Sequence, residues 1–221
     1  MTVPTPRTIA TPSGEVSGLF SRPSQAEALL VLAHGAGAGM THPFMAAVAD
    51  ALAAEAVATL RYQFPSMEAG RRRPDTPSIA MATVRAAVQS TAADGPLLVV
   101  AGGKSFGGRM SSEAAAKSML PHVRGLVFFG FPLHPPGKPG RSRAAHLAKV
   151  RVPMLFVQGT RDALAQLPLV ETVVRELGAR ATLHVVDGGD HSFKLPKRLG
   201  RDPADVINEI GRVTADWIRN L

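Results

Sequence analysis

Ser105 sits in Gly103-Lys104-Ser105-Phe106-Gly107, a G-x-S-x-G pattern preceded by the apolar run Leu97-Leu98-Val99-Val100-Ala101 and followed by helix formers. A serine on a tight strand-to-helix turn is thrust out on strained backbone, and only glycine fits two positions to either side of it. The same turn lays the first free N–H groups of the next helix, beginning with that of Phe106, beside the serine oxygen. Negative charge developing there would meet a hydrogen-bond donor and a positive dipole end. The chemistry this permits is attack on an acyl carbon. A serine hydroxyl is too weak an acid to attack unaided at neutral pH, so it needs a base to take its proton and an acid to orient that base. His191 and Asp162 are the candidates, each following an apolar strand-like run, and Ser, Asp, His is a chain order in which such turns are used.

Alternatives exist for each residue. In a chain of 221 residues with 21 glycines, a G-x-S-x-G arises by chance on the order of once in ten such chains. A serine that merely caps the following helix gives the same pattern. A phosphate-binding loop shares the Gly103-Lys104-Ser105 tail but fails at Leu98, where its first glycine belongs. Asp187 is the rival acid, although a strand-end loop separate from the histidine loop is the usual source. His184 lies within a strand-like run, Asp190 adjoins His191 on a tight turn, and Asp162 and His191 could themselves be ordinary loop residues.

Positioning these three residues calls for alternating strands and helices. Strands are predicted over residues 28–33, 58–62, 97–101, 125–129, 154–158 and 181–186, and helices over 43–55, 78–92, 107–119, 167–177 and 203–220. Residues 7–21 read as a leading hairpin turning at Ser13-Gly14, and residues 131–150 as an irregular connection with one short helix over 143–149. The class is α/β: a mostly parallel sheet with helices on both faces, in one domain spanning residues 1–221. Ligands of such sheets bind at the carboxyl ends of the strands. Ser105, Asp162 and His191 each follow a different strand there, as does His34-Gly35-Ala36-Gly37, whose Ala36 N–H is the expected second oxyanion donor.

Composition narrows the partners. The formal charge of +8 comes largely from Arg71-Arg72-Arg73 and the basic stretches 138–151 and 194–201. With one Trp, one Tyr and no recognised binding motif, nucleic acid is not the expected partner. A solvated basic face, or attraction of anionic substrates, accounts for the charge. No apolar run approaches the roughly 20 residues of a bilayer span, and no signal or transit segment is visible, so a cytoplasmic location and no membrane partner are expected. The absence of cysteine removes disulfides and thiolate chemistry and leaves serine as the leading nucleophile.

The chain resembles the α/β-hydrolase superfamily, in particular its small cap-less branch near dienelactone hydrolase. Within that branch it is most similar to the hydrolase-like proteins grouped with the testis-expressed and nonspecific-lethal-complex subunits. The resemblance rests on residues 32–37, 61–65, 70–75, 102–110, 132–139, 156–162 and 189–194. Dienelactone hydrolases proper carry a cysteine nucleophile where this chain has Ser105. The resemblance implies hydrolysis of a small ester or thioester through an acyl-enzyme, with Ser105, His191 and Asp162 as triad, Ala36 and Phe106 as oxyanion donors, and neither metal nor organic cofactor. The connection before Met154 is too short for a cap, so an open, shallow site is expected. Phe64, Met67, Phe131, Leu133 and His134 are expected to line it, with His34 beside them or supporting its own loop, and with Arg61, Arg72 and Lys138 as anion contacts. The basic residues could instead pair with Glu68 or Asp75 to brace loops. A non-catalytic binding module on the same scaffold would show a broken triad, and none is broken here.

Overall fold

The computed structural model describes residues 2–71 and 73–221. Its strands are β1 (Thr5–Thr11), β2 (Gly14–Ser21), β3 (Ala28–Ala33), β4 (Val57–Tyr62), β5 (Leu98–Lys104), β6 (Val123–Phe129), β7 (Met154–Gly159) and β8 (Ala181–Val186). They form one sheet in the order β1-β2-β4-β3-β5-β6-β7-β8. From β4 to β8 all neighbours are parallel, while β1 pairs antiparallel with β2 and β2 with β4. The helices are α1 (Pro43–Ala54), α2 (Pro65–Glu68), α3 (Pro77–Gln89), α4 (Phe106–Lys117), α5 (Leu167–Leu177) and α6 (Pro203–Arg219). This is the α/β-hydrolase architecture expected from the sequence, with its leading hairpin.

Two buried clusters lie on opposite faces of the sheet. Val84, Met110 and Val173 bring α3, α4 and α5 into one, and Val48, Leu52 and Ile210 bring α1 and α6 into the other. In β3, Leu29 and Val31 face the first cluster and Leu30 and Leu32 the second, and all six residues of the strand are buried. A strand covered on both faces must be apolar at every position, which is why β3 reads as an unbroken apolar run.

The chain passes from β3 to β4 on one side and returns through α3 to β5 on the other. The carboxyl ends of β3 and β5 therefore flank the point where strand order reverses, the place where open parallel sheets leave a crevice. Between β6 and β7 the expected short helix is present as a 3₁₀ helix over Ser142–Lys149, and among the described residues no helical cap covers that crevice.

Three local features depart from expectation. β5 runs on through Gly102, Gly103 and Lys104, pairing Gly102 with Leu32, Gly103 with Ala33 and Lys104 with Phe129. Glycine is depleted in strands for want of a side chain to pack, yet its backbone completes the ladder. The single-turn helix α2 was not expected, and α3 gives way at Gln89 to a 3₁₀ turn over Ser90–Ala93. No helix among the described residues is long and apolar enough to cross a membrane.

Candidate active site

Ser105 occupies the junction of β5 and α4 with φ 49° and ψ −113°, a conformation that costs a non-glycine residue about 1–3 kcal/mol. What allows the turn is the close approach of the β3 terminus. A Cβ on Gly103 would stand 2.1 Å from the Ala33 carbonyl oxygen, and one on Gly107 would stand 2.6 Å from the carbonyl oxygens of Ala33 and His34. Two glycines thus let one strand end pass beneath the next, leaving Ser105 at the crest.

Three side chains from three loops meet there. His191 Nε2 lies 2.8 Å from Ser105 Oγ, and His191 Nδ1 lies 2.7 Å from Asp162 Oδ2. Asp162 is buried, and it also accepts hydrogen bonds from Gln158 Nε2 at 2.6 Å and from the Leu164 N–H at 2.8 Å. Burial alone would raise its carboxyl, but the hydrogen bond and charge of His191, with the donors Leu164 and Gln158, outweigh burial and hold it below the usual carboxylate value. An ionised Asp162 takes the Nδ1–H of His191, which leaves Nε2 to accept the Ser105 proton. Asp187 is exposed and, among the described residues, engages only Thr160, at 3.4 Å, while Asp190 Oδ1 accepts the N–H groups of Ser192 and Lys194 and shapes the turn that presents His191.

The loop after β3 packs against this junction, since a Cβ on Gly35 would lie 3.5 Å from Lys104 Cγ and 3.8 Å from Ser105 Cβ. Among the described residues, neither the Ala36 N–H nor the Phe106 N–H has an acceptor. Ser105 opens onto a cavity of about 350 Å³. Ala38, His42, Phe44, Met45, Leu164 and Ser192 line it together with Gly35, Ala36, Lys104 and His191. The first six were not expected from the sequence. Only their place, just after the β3, β7 and β8 loops, could have signalled them.

The residues expected to line the pocket are mostly elsewhere. Phe131 and Leu133 are buried in the core on the α3–α5 side, where Phe131 packs on Phe128 and Phe156. Core volume beneath the 3₁₀ segment claims these apolar side chains. His134 is buried with Nδ1 donating to the Pro135 carbonyl, and Phe64 lies beneath the crest, edge-on to Phe106 and to His34. His34 Nδ1 donates to the Gly35 carbonyl and its Nε2 accepts the Phe64 N–H, so the ring ties the β3 and β4 loops together. Burial lowers its pKa, against the opposing effects of the Gly35 bond and Asp75, and favours the neutral ring that this pairing requires.

The expected anion contacts are displaced as well. Arg61 is buried, with Nη1 directed at the Met40 carbonyl 3.4 Å away, and Lys138 is exposed on the Pro135–Lys138 turn. Neither lines the cavity. Nor do they brace the expected acids, because Glu68 takes the N–H and hydroxyl of Ser17 and Asp75 takes the N–H of Ser66. Met67 packs near Gly39 and does not line the cavity. Arg72 lies outside the described residues. Among the described residues, no group of three His, Cys, Asp or Glu side chains is placed to hold a metal ion.

Residues 26–219 match the family model described as an alpha/beta hydrolase domain. Among solved structures, the chain is similar to a dienelactone hydrolase from Anabaena variabilis ATCC 29413, at 20% identity and TM-score 0.76 over 98% of both chains. It is similar to an alpha-beta serine hydrolase homologue from Coxiella burnetii, at 21% identity and TM-score 0.77 over 100% of this chain and 99% of that one. A serine hydrolase without lid from Xanthomonas campestris matches at 20% identity and TM-score 0.76, over 98% of this chain and 96% of that one. At these identities the likeness is one of fold.

Proposed function

The chain belongs to the alpha/beta hydrolase domain family, and from that premise we propose that it is a serine hydrolase cleaving small carboxylic esters or thioesters through an acyl-enzyme. The observation that carries this reading is the continuous hydrogen-bonded series Ser105–His191–Asp162 ending on a serine of positive φ. Ser105 Oγ attacks the acyl carbon as its proton passes to His191 Nε2. The resulting oxyanion takes the free N–H groups of Ala36 and Phe106, the second at the amino end of α4, where the helix dipole adds to the hydrogen bond. Collapse of the tetrahedral species expels the alkoxide or thiolate with the proton from His191. Water, activated by the same imidazole, then releases the acid from Ser105. Asp162 stays ionised throughout and holds the imidazole in the tautomer that both steps need.

The cavity suggests the class of substrate. Its lining is mainly apolar, and Lys104, the one Lys or Arg among the described residues that line it, is already engaged with the His191 carbonyl. We therefore favour neutral esters with a short apolar group over the anionic substrates that the basic clusters suggested. The neighbours described as dienelactone hydrolase and as serine hydrolase without lid support an uncapped esterase of this kind. The finer resemblance to the testis-expressed and nonspecific-lethal-complex hydrolase-like proteins, a single domain over residues 1–221 and a cytoplasmic location belong to the same proposal.

The test is labelling by a fluorophosphonate, which needs an activated serine. Folded wild-type protein should be labelled at Ser105 and the Ser105→Ala variant should not. An unlabelled, folded wild type, or one labelled elsewhere, refutes the reading.

A further inference from the structure

Lys104 immediately precedes Ser105, and its side chain is buried against the His191 loop at the wall of the cavity. Nζ donates to the His191 carbonyl at 2.5 Å and lies 5.8 Å and 5.6 Å from the ring centroids of Phe44 and Phe193. A Cβ on Gly130 would stand 2.9 Å from Nζ and 3.4 Å from Asp162 Oδ2, so only the space of that glycine separates the ammonium from the carboxylate. Gly130 itself has φ +67°, which suits a residue without a side chain. An ammonium in this position is costly, because a methionine would fill the same volume without losing hydration. Burial brings its pKa down to about 8, against the opposing charges of Asp162 and Asp190.

Resting on the serine-hydrolase reading above, we propose that Lys104 is a positioning residue for the triad. Its ammonium anchors the His191 loop to the strand that carries Ser105 and so keeps the imidazole within reach of the nucleophile. The anchor joins residues 87 positions apart in the chain, so the nucleophile and its base keep register through one side chain adjacent to the nucleophile. The charged and titratable groups around Nζ are Asp162 on the β7 loop and Asp190 and His191 on the β8 loop. α1 contributes Phe44 and the β6 loop Gly130, neither of them charged. Two carboxylates and one imidazole therefore share a single buried cation. Loss of the ammonium removes the donor to the His191 carbonyl and frees the loop that carries the imidazole.

Three variants separate anchoring from packing. Lys104→Met keeps the volume but removes donor and charge. It should lower kcat at least about tenfold and leave KM within about twofold. Hydrogen exchange of peptides covering residues 187–194 should accelerate in the same variant. Lys104→Arg, which keeps charge and donors, should restore most of kcat and the wild-type exchange. If Lys104→Met does not fold, Lys104→Leu carries the same expected loss of kcat and faster exchange. Wild-type kcat or wild-type exchange in the apolar variants, or an arginine variant indistinguishable from methionine, overturns the proposal. Exchange is read without turnover, so a wild type that takes no fluorophosphonate would refute the hydrolase reading while the anchor is still decided.

Discussion

Asp162→Asn tests the series at its least exposed member. In the wild type all three neighbours of the carboxylate are donors: His191 Nδ1 and Gln158 Nε2 on Oδ2, and the Leu164 N–H on Oδ1. Asparagine has one acceptor oxygen and one NH₂. With its oxygen kept toward Leu164, its NH₂ takes the place of Oδ2. Gln158 can then turn over to present Oε1, which has no partner in the wild type, and His191 can present a bare Nδ1. Gln158 Nε2 is then left where Oε1 found no partner, so one buried donor loses its hydrogen bond and the fold should lose about 1–3 kcal/mol. The imidazole, however, now carries its proton on Nε2, facing Ser105, and cannot take the serine proton. The expected loss in kcat is about 10⁴-fold, about 5 kcal/mol of transition-state stabilisation. Hydrolysis of a short p-nitrophenyl ester and urea unfolding, run on the same preparation, read the two effects separately. A loss under about tenfold, or a greater loss in Asp187→Ala than in Asp162→Asn, would refute the assignment of Asp162.

Gly103→Ala should unfold or severely destabilise the chain, by more than about 3 kcal/mol in urea titration, because its Cβ would meet the Ala33 carbonyl oxygen 2.1 Å away at φ +153°. A stable Gly103→Ala protein would contradict the close crossing of β3 and β5. Phe131→Ala removes a fully buried ring packed on Phe128 and Phe156 and should cost about 3–5 kcal/mol of stability while leaving KM unchanged in the folded fraction. A change in KM would return Phe131 to the pocket. Lys104 makes stability depend on alkaline pH, since its pKa falls from 10.5 to about 8 on burial. Below about pH 8 both states hold the proton and desolvation weighs against the fold. Between there and about pH 10.5 the folded protein releases a proton that the unfolded chain keeps, so stability rises by up to about 3 kcal/mol. Urea midpoints compared at about pH 7 and about pH 10 should show this gain in wild type and not in Lys104→Met, and equal pH dependence in both would refute it.

Patterns of local origin were legible in the chain. The fully covered strand β3 has the bounds its apolar run suggests, as do the edge strand β8 and α5, because burial on the faces of a strand and on one face of a helix leaves a direct periodic trace. The α/β class and the order Ser105, Asp162, His191 along one sheet edge follow from that trace and from glycine spacing, while the α/β-hydrolase fold is what the resemblance of the motifs implied. Which acid the imidazole meets does not, since Asp162 and Asp187 both follow parallel strands. Only the packing of β7 beside β8 turns one inward and leaves the other in water. The same holds for the pocket wall. Phe131, Leu133, His134 and Arg61 lie near the right strand ends, but side-chain direction there depends on which neighbour needs filling, and the core takes all four. Lys104 shows the difference most plainly. In sequence it is the unspecified residue of a G-x-S-x-G motif, and only the approach of a loop 87 residues away makes it the buried cation behind the triad.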